Sequence, residues 1–331
     1  MTRRLVMGPF NRVEGDLEVR LETSAGQVVR AEVNSPLYRG FERMLTGKPV
    51  ADALVYAPRI CGICSVSQSV AAAQALARLG QGGVPASGGH AVNLIHAVEN
   101  LADHFTHFYL FFMPDFGRAV YAGEAWYPEV GERFAAMWGT AARDALPARA
   151  AWMEMMGVLA GKWPHTLSIQ PGGSTRAITR AEKVRVGTLI AGFRRYLETV
   201  MFGDTLEAVA ALSTPDALYG WAEAQEHRRS DFAWFIHLSR QLGLRAMGRS
   251  TAQHMSFGAY GFAGAPLFPA GVFAGGALQP LNPDAIAEDV SHAWYAPGAA
   301  RRPADPAPAP DASVPDAYSW CKAPRLDGAI A

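Results

Sequence analysis

The sequence predicts a mainly α chain with a small N-terminal β-hairpin, an α+β fold with a helical core. Three observations predict it. Apolar residues recur at three- and four-residue spacing over long stretches, above all from His90 to about Met113. Alternation of apolar and polar residues is confined to the beginning of the chain. A Cys-x-x-Cys within Arg59–Gln68 runs directly into an alanine- and leucine-rich stretch with no helix breaker.

Composition narrows the function classes. Of the 331 residues, 50% are hydrophobic and 18% charged, so a sizeable core can be buried. Part of the apolar surface is then expected to lie against a partner. Formal net charge is zero and no basic stripe is present, which argues against a nucleic-acid partner. Three cysteines are too few for a disulfide framework and fit a reducing compartment. No uncharged apolar run reaches membrane-spanning length, and the N-terminus lacks the apolar stretch of a signal peptide. Arg3-Arg4 is not followed by the apolar segment a twin-arginine signal needs. A cytoplasmic location is therefore expected.

In chain order, Leu17, Val19 and Leu21 alternate with charged residues, Ser24–Gln27 turns, and Val28–Val33 returns as a second strand. Just before the hairpin, Glu14 lies beside Gly15 and reads in isolation as a solvated turn residue. Tyr38–Leu45 reads as a short helix, with Glu42 and Arg43 on an ordinary charged face. The helix after Cys64 is followed by a Gly/Pro/Ser-rich connection from Gly80 to Gly89. In the helix from His90, Asn100, Asp103, His104 and His107 form a polar stripe that faces water or lines a pocket; the apolar flanks favour the pocket. His90 and His96 read as surface or core histidines, and Pro114-Asp115 ends the helix.

Further helices are expected near Gly131–Met156, Arg180–Leu212 and Pro215–Leu242, with His227 and His237 structural. A turn-rich loop, Trp163–Thr175, carries His165. Ser256–Pro283 reads as irregular or short strands, and Gly298–Pro315 as an exposed Pro/Ala-rich linker. The expectation is one domain over residues 1–331. It comprises a hairpin and short helix over 1–47, a helical core over 48–255 and an irregular part over 256–331, with the linker at 298–315.

The chemistry concentrates at Cys61 and Cys64. At a helix start, unpaired backbone N–H groups and the dipole favour thiolate over thiol. Two such thiolates can hold a soft metal ion from one side, and Gly62 permits close backbone approach. Read alone, the pair is half of a metal site, a redox dithiol or two inert buried cysteines. The pair with a histidine as a mononuclear zinc site is a further reading.

Arg12-Val-Glu-Gly15, Tyr38-Arg-Gly-Phe-Glu42, Arg59-Ile-Cys-Gly-Ile-Cys64, Asp103-His104 with His107-Phe-Tyr109, Pro171-Gly-Gly173 and Tyr318-Ser-Trp-Cys-Lys-Ala-Pro-Arg325 together resemble the large subunit of nickel–iron hydrogenases. The run Cys-Gly-Ile-Cys-Ser-Val-Ser-Gln68 resembles the hydrogen-sensing, regulatory branch; most catalytic members have histidine at the Gln68 position.

The resemblance implies a helix-bundle core of the hydrogenase large-subunit type and a buried nickel–iron centre whose iron carries cyanide and carbon monoxide. It implies heterolytic oxidation of H2, with electrons leaving through an iron–sulfur small subunit, and a signalling kinase as partner of a sensor. By motif match Cys61 is a nickel ligand, Cys64 a nickel–iron bridge, and Glu42 a ligand of a structural magnesium. Glu14 is the first proton-relay carboxylate, Arg59 and Asp103 are polar residues at the metals, and His165 faces the partner's nearest cluster.

The family's second Cys-x-x-Cys and its magnesium-binding histidine follow the Lys-Ala-Pro-Arg segment, and this chain ends before both. The expectation is a C-terminally incomplete subunit, with Cys321 a buried thiol beside Trp320. The competing expectation is a non-catalytic scaffold or interaction subunit of the same ancestry.

Overall fold

Three strands open the chain where the alternation predicts two. In the computed structural model β1 (Arg3–Met7) pairs antiparallel with β2 (Glu18–Ser24), which pairs with β3 (Gln27–Asn34). Ala25 and Gly26, both at positive φ, make the tight β2–β3 turn, the backbone twist such hairpins favour. Arg3–Met7 joins as an edge strand although Arg3, Arg4, Leu5, Val6 and Met7 do not alternate: it has one paired side and no buried face to match. The structure describes all residues except 1–2, 11–12, 14, 81–82, 226–229, 249–252, 263 and 331.

The chain forms two compact units, one from Met1–Pro49, Thr251–Ala259 and Pro266–Ala331, the other from Val50–Ser250 and Tyr260–Ala265. After the sheet, the first unit adds α1 (Phe41–Leu45).

The second unit is helical. It runs α2 (Ala53–Tyr56), α3 (Ser65–Ala77), α4 (Ala86–Thr106), α5 (Tyr127–Phe134) and α6 (Thr140–Ala160). A short ladder, β4 (Ile169–Gln170) with β5 (Gly173–Ser174), precedes α7 (Arg180–Tyr196), α8 (Leu206–Ala210), α9 (Pro215–Ala224) and α10 (Asp231–Gln241). Val92, Ile95, Val98, Ala102 and Phe105 of α4 are buried and form one core with Val66 and Val70 of α3 and Trp152, Met155 and Met156 of α6. The Trp152 indole donates to the Val98 carbonyl at 2.9 Å, fixing α6 against α4.

The three- and four-residue spacing locates these helices but not their breaks. The stretch predicted as one helix over Gly131–Met156 divides into α5 and α6 at Gly139, where an added Cβ would stand 2.6 Å from the Ala135 carbonyl. The stretch over Pro215–Leu242 divides because Ser230 is extended and its hydroxyl caps α10. His227 lies outside the described residues. α4 begins before His90, inside the predicted connection, and continues through a π-helical turn at His107–Phe112 and a 3₁₀ turn at Met113–Gly117. Pro171-Gly-Gly173 has a packing role: a Cβ on Gly173, at φ 115°, would lie 2.8 Å from the Gly88 Cα, so two backbones touch there.

The chain's last part returns to the first unit as strands. β6 (His254–Ala259), β7 (Phe268–Ala274) and β8 (Ala277–Gln279) form one antiparallel sheet. β9 (Ile286–Asp289), β10 (Ala323–Leu326) and β11 (Ala329–Ile330) form another. The stretch predicted as a linker is tied down rather than free. Glu288 and Arg301 exchange backbone hydrogen bonds of 2.6 and 3.1 Å, and Asp311 N–H donates to the Trp294 carbonyl at 2.8 Å. No helix among the described residues is long and apolar enough to cross a membrane.

Candidate metal centre

The Cys-x-x-Cys loop is built from its flanks inward. A 3₁₀ turn, Ala57–Arg59, is closed by the Ile60 N–H on the Ala57 carbonyl at 3.0 Å. Cys64 then takes the N-cap position of α3, and its carbonyl accepts the Gln68 N–H at 3.1 Å. This is the helix start the alanine-rich run predicts. Both thiols are half-buried, and the Gln68 amide nitrogen lies 3.7 Å from the Cys64 sulfur, within hydrogen-bond reach of it.

The expectation that free N–H groups at this helix start would favour the thiolate is corrected at Cys64. Val66 N–H and Ser67 N–H donate to the two oxygens of Glu99, at 2.9 and 3.0 Å. The first turn is therefore occupied by a carboxylate. Burial pushes the Cys64 thiol up, its hydrogen bond with Cys61 adds to this, and the negative charge of Glu99 adds further; only the Gln68 amide opposes.

Glu99 is the residue that sequence reasoning passed over. It follows Ile95 by four positions and precedes Ala102 by three, on the apolar face of α4, and is 2% exposed. A carboxylate at a core position of an amphipathic helix is the signal that could have found it.

His165 joins the same site from the Trp163–Thr175 loop. Its backbone N–H donates to Ser65 Oγ at 3.1 Å, and its imidazole Nε2 lies 3.7 Å from where a Cβ on Gly62 would stand. Its Nδ1 is buried with no hydrogen-bond partner among the described residues. His165 also sits at φ 62°, in the left-handed region. His165 thus stands beside Gly62 of the Cys-x-x-Cys loop, without making a three-residue ligand group with Cys61 and Cys64.

The other predicted residues are placed separately. Arg59 ends the 3₁₀ turn and is exposed. On α4, Asp103, His104 and His107 are exposed, so among these residues the polar stripe lines no enclosed pocket. Asn100, half-buried, donates to the Tyr260 hydroxyl at 2.8 Å, and His96 Nε2 lies 3.1 Å from Ser67 Oγ. In the first unit the Glu42 carboxylate accepts from Lys322 Nζ at 2.5 Å, and Lys322 also reaches Glu288 at 2.8 Å. Burial pulls Lys322 down, but these two partners outweigh it and hold its ammonium above its ordinary range. Cys321 is exposed, not buried as expected; its sulfur turns to the Lys322 carbonyl at 3.5 Å. Glu14 lies outside the described residues.

A family model described as nickel-dependent hydrogenase matches residues 39–135 and 143–331. The chain belongs to the nickel-dependent hydrogenase family. It is 35% identical over 113 residues to one chain of the vhc F420-non-reducing hydrogenase of Methanococcus voltae, across 34% of this chain and 24% of that protein. It is 33% identical over 106 residues to the periplasmic NiFeSe hydrogenase large subunit of Desulfomicrobium baculatum, across 32% of this chain and 21% of that one. Its fold matches the reduced Ni-Fe-Se hydrogenase of D. vulgaris Hildenborough with a TM-score of 0.78 at 24% identity, covering 99% of this chain and 64% of that chain. The chain thus spans less than two thirds of that structure's length.

The loop's donors fit the metal this family is named for. Two thiols three residues apart offer soft sulfur to one side of an ion such as nickel. Among the described residues no group of three or more His, Cys, Asp or Glu side chains stands together to hold a metal, so the pair could supply only part of a coordination shell. Glu42 and Glu288 offer hard oxygen, the donor type magnesium takes, with Lys322 Nζ now between them.

Proposed function

We propose that this chain is the large-subunit component of a nickel–iron hydrogenase that oxidises H2 heterolytically and passes electrons to an iron–sulfur small subunit. The observation that carries the reading is the Cys61–Cys64 loop, held at the start of α3 and inside the segment matched to the family. When bound, a nickel–iron centre whose iron carries cyanide and carbon monoxide supplies the Lewis acidity and redox capacity for the bond cleavage.

Cys61 and Cys64 would hold that centre through their sulfurs, Cys61 as a nickel ligand and Cys64 as a ligand of the shared centre. The Gln68 amide donates towards the Cys64 sulfur and fixes its orientation. Arg59, two residues before Cys61, supplies a fixed positive charge, and Asp103 a polar group on α4. Glu14 takes the proton released from H2. Glu42 binds a structural magnesium, and His165 faces the partner's nearest iron–sulfur cluster. Neutral Gln68, in place of a titratable imidazole, supports a hydrogen-sensing role. A signalling kinase partner and a cytoplasmic location go with that role.

The test is co-expression with the maturation machinery and the small subunit. Nickel and iron in the purified complex, with H2-dependent dye reduction lost in Cys61→Ser and Cys64→Ser, is the expected result. Absence of nickel from that complex sinks the reading. Zinc at one per chain points instead to a mononuclear site.

A second reading is a scaffold or interaction subunit of the same ancestry. It is favoured by the donor set: two thiols with no third ligand beside them among the described residues. It requires small-subunit binding that survives both cysteine substitutions.

A further inference from the structure

Cys64 occupies the N-cap of α3, yet its side chain caps nothing. The usual cap residues use their own side-chain oxygen to satisfy the first free N–H groups of a helix. Here the cap is delivered from a distance. Glu99 of α4 accepts Val66 N–H at 2.9 Å and Ser67 N–H at 3.0 Å, one on each carboxylate oxygen. It also accepts from Ser65 Oγ at 3.3 Å, Ser67 Oγ at 3.4 Å and the Trp163 indole at 2.9 Å.

A buried carboxylate is stable only when donors surround it, and this one is so surrounded. Two of its contacts lead onward to one loop. The Trp163 indole binds it directly, and Ser65 Oγ receives the His165 N–H at 3.1 Å. The helix behind the thiols and the loop bearing His165 are therefore fastened to one side chain.

We infer that Glu99 is the positioning residue of the thiol pair: it caps α3 from α4, leaves the Cys64 side chain free to face a metal, and sets where the Cys61–Cys64 loop stands against His165. This rests on the reading of Cys61 and Cys64 as metal-holding thiols. Glu99 itself touches neither sulfur.

Glu99→Gln separates positioning from bulk. Glutamine has the same shape, but one of its two end atoms becomes a donor and meets an N–H of Val66 or Ser67. The 331-residue chain is titrated anaerobically with Co2+, read by the sulfur-to-cobalt charge-transfer band. Its thiols are alkylated with iodoacetamide, and the Cys61-to-Cys64 rate ratio is read by mass spectrometry. In Glu99→Gln, loss of one charged hydrogen bond predicts Co2+ binding weakened about tenfold and a rate ratio shifted by a similar factor. Trp163→Phe removes one donor and leaves both amides clamped; it shifts both readouts in the same direction, by less. Ile95→Val, a conservative trim of the same core that leaves every hydrogen bond of the carboxylate in place, moves neither by more than about twofold.

A Glu99→Gln chain with lowered melting temperature but wild-type Co2+ affinity and rate ratio overturns the inference, since Glu99 is then a packing residue only. If Glu99→Gln does not fold, Trp163→Phe decides, and an unchanged rate ratio overturns it equally. A wild-type chain that binds no Co2+ through its thiols refutes the metal reading, while the rate ratio still tests the positioning.

Discussion

Arg133 and Asp231 meet in a two-point ion pair, Nε to Oδ1 at 2.8 Å and Nη2 to Oδ2 at 2.7 Å. It ties α5 to the first residue of α10, and the Tyr109 hydroxyl completes it with a 2.8 Å bond to Asp231 Oδ2. Burial, then the Asp231 charge, pushes the Tyr109 phenol far above its ordinary range, so it remains a donor. The Asp231 side chain is 6% exposed, whereas Asp144, which also binds Arg133, is 52% exposed.

Burial therefore ranks the two carboxylates. Asp231→Asn removes the buried one of the two carboxylates on half-buried Arg133, leaving only exposed Asp144, and is expected to cost about 3 kcal/mol. Asp144→Asn is expected to cost under about 1 kcal/mol. Urea unfolding of both variants checks the ranking; equal losses would remove the burial argument.

His96 gives a pH dependence. Burial holds its imidazole below the ordinary value of 6.5, where it meets Ser67 Oγ and the Tyr260 ring. The unfolded chain thus binds more protons than the folded chain around and below pH 6.5, and stability rises with pH through that window. Wild type should lose stability as pH falls below about 7, and His96→Gln should flatten that decline. Unfolding midpoints from pH 5 to 8 measure it; an identical slope in the variant refutes it.

The Gln68 amide is the one group that lowers the raised Cys64 thiol. Gln68→Leu removes that donor and raises the thiol further. Alkylation of Cys64 at pH 8 should slow about two- to fivefold, since only the thiolate reacts. A faster rate would mean that opened access outweighs the lost hydrogen bond.

Glu42 tests the magnesium assignment. Its side chain is 52% exposed in the pair with Lys322, so Glu42→Gln should cost the isolated chain under about 1 kcal/mol. In the small-subunit complex the same substitution should remove one magnesium per large chain, read by metal analysis. Unchanged magnesium would leave Glu42 an ordinary ion-pair residue.

Local chemistry in the sequence determined the hairpin, the helix after Cys64, the long helix bearing Asp103 and the thiol pair at a helix start. Each is written in neighbours a few residues apart, through alternation, periodicity or turn residues, so it needs no knowledge of distant chain. The tertiary structure decided what those elements meet. Glu99 could be seen as a misplaced carboxylate, but not as the cap of a helix 33 residues earlier. His165 beside Gly62 and Lys322 beside Glu42 were equally beyond a local pattern. A hydrogen-bond donor does not encode which acceptor will stop it: that is settled only when the packed core brings two remote backbones within about 3 Å.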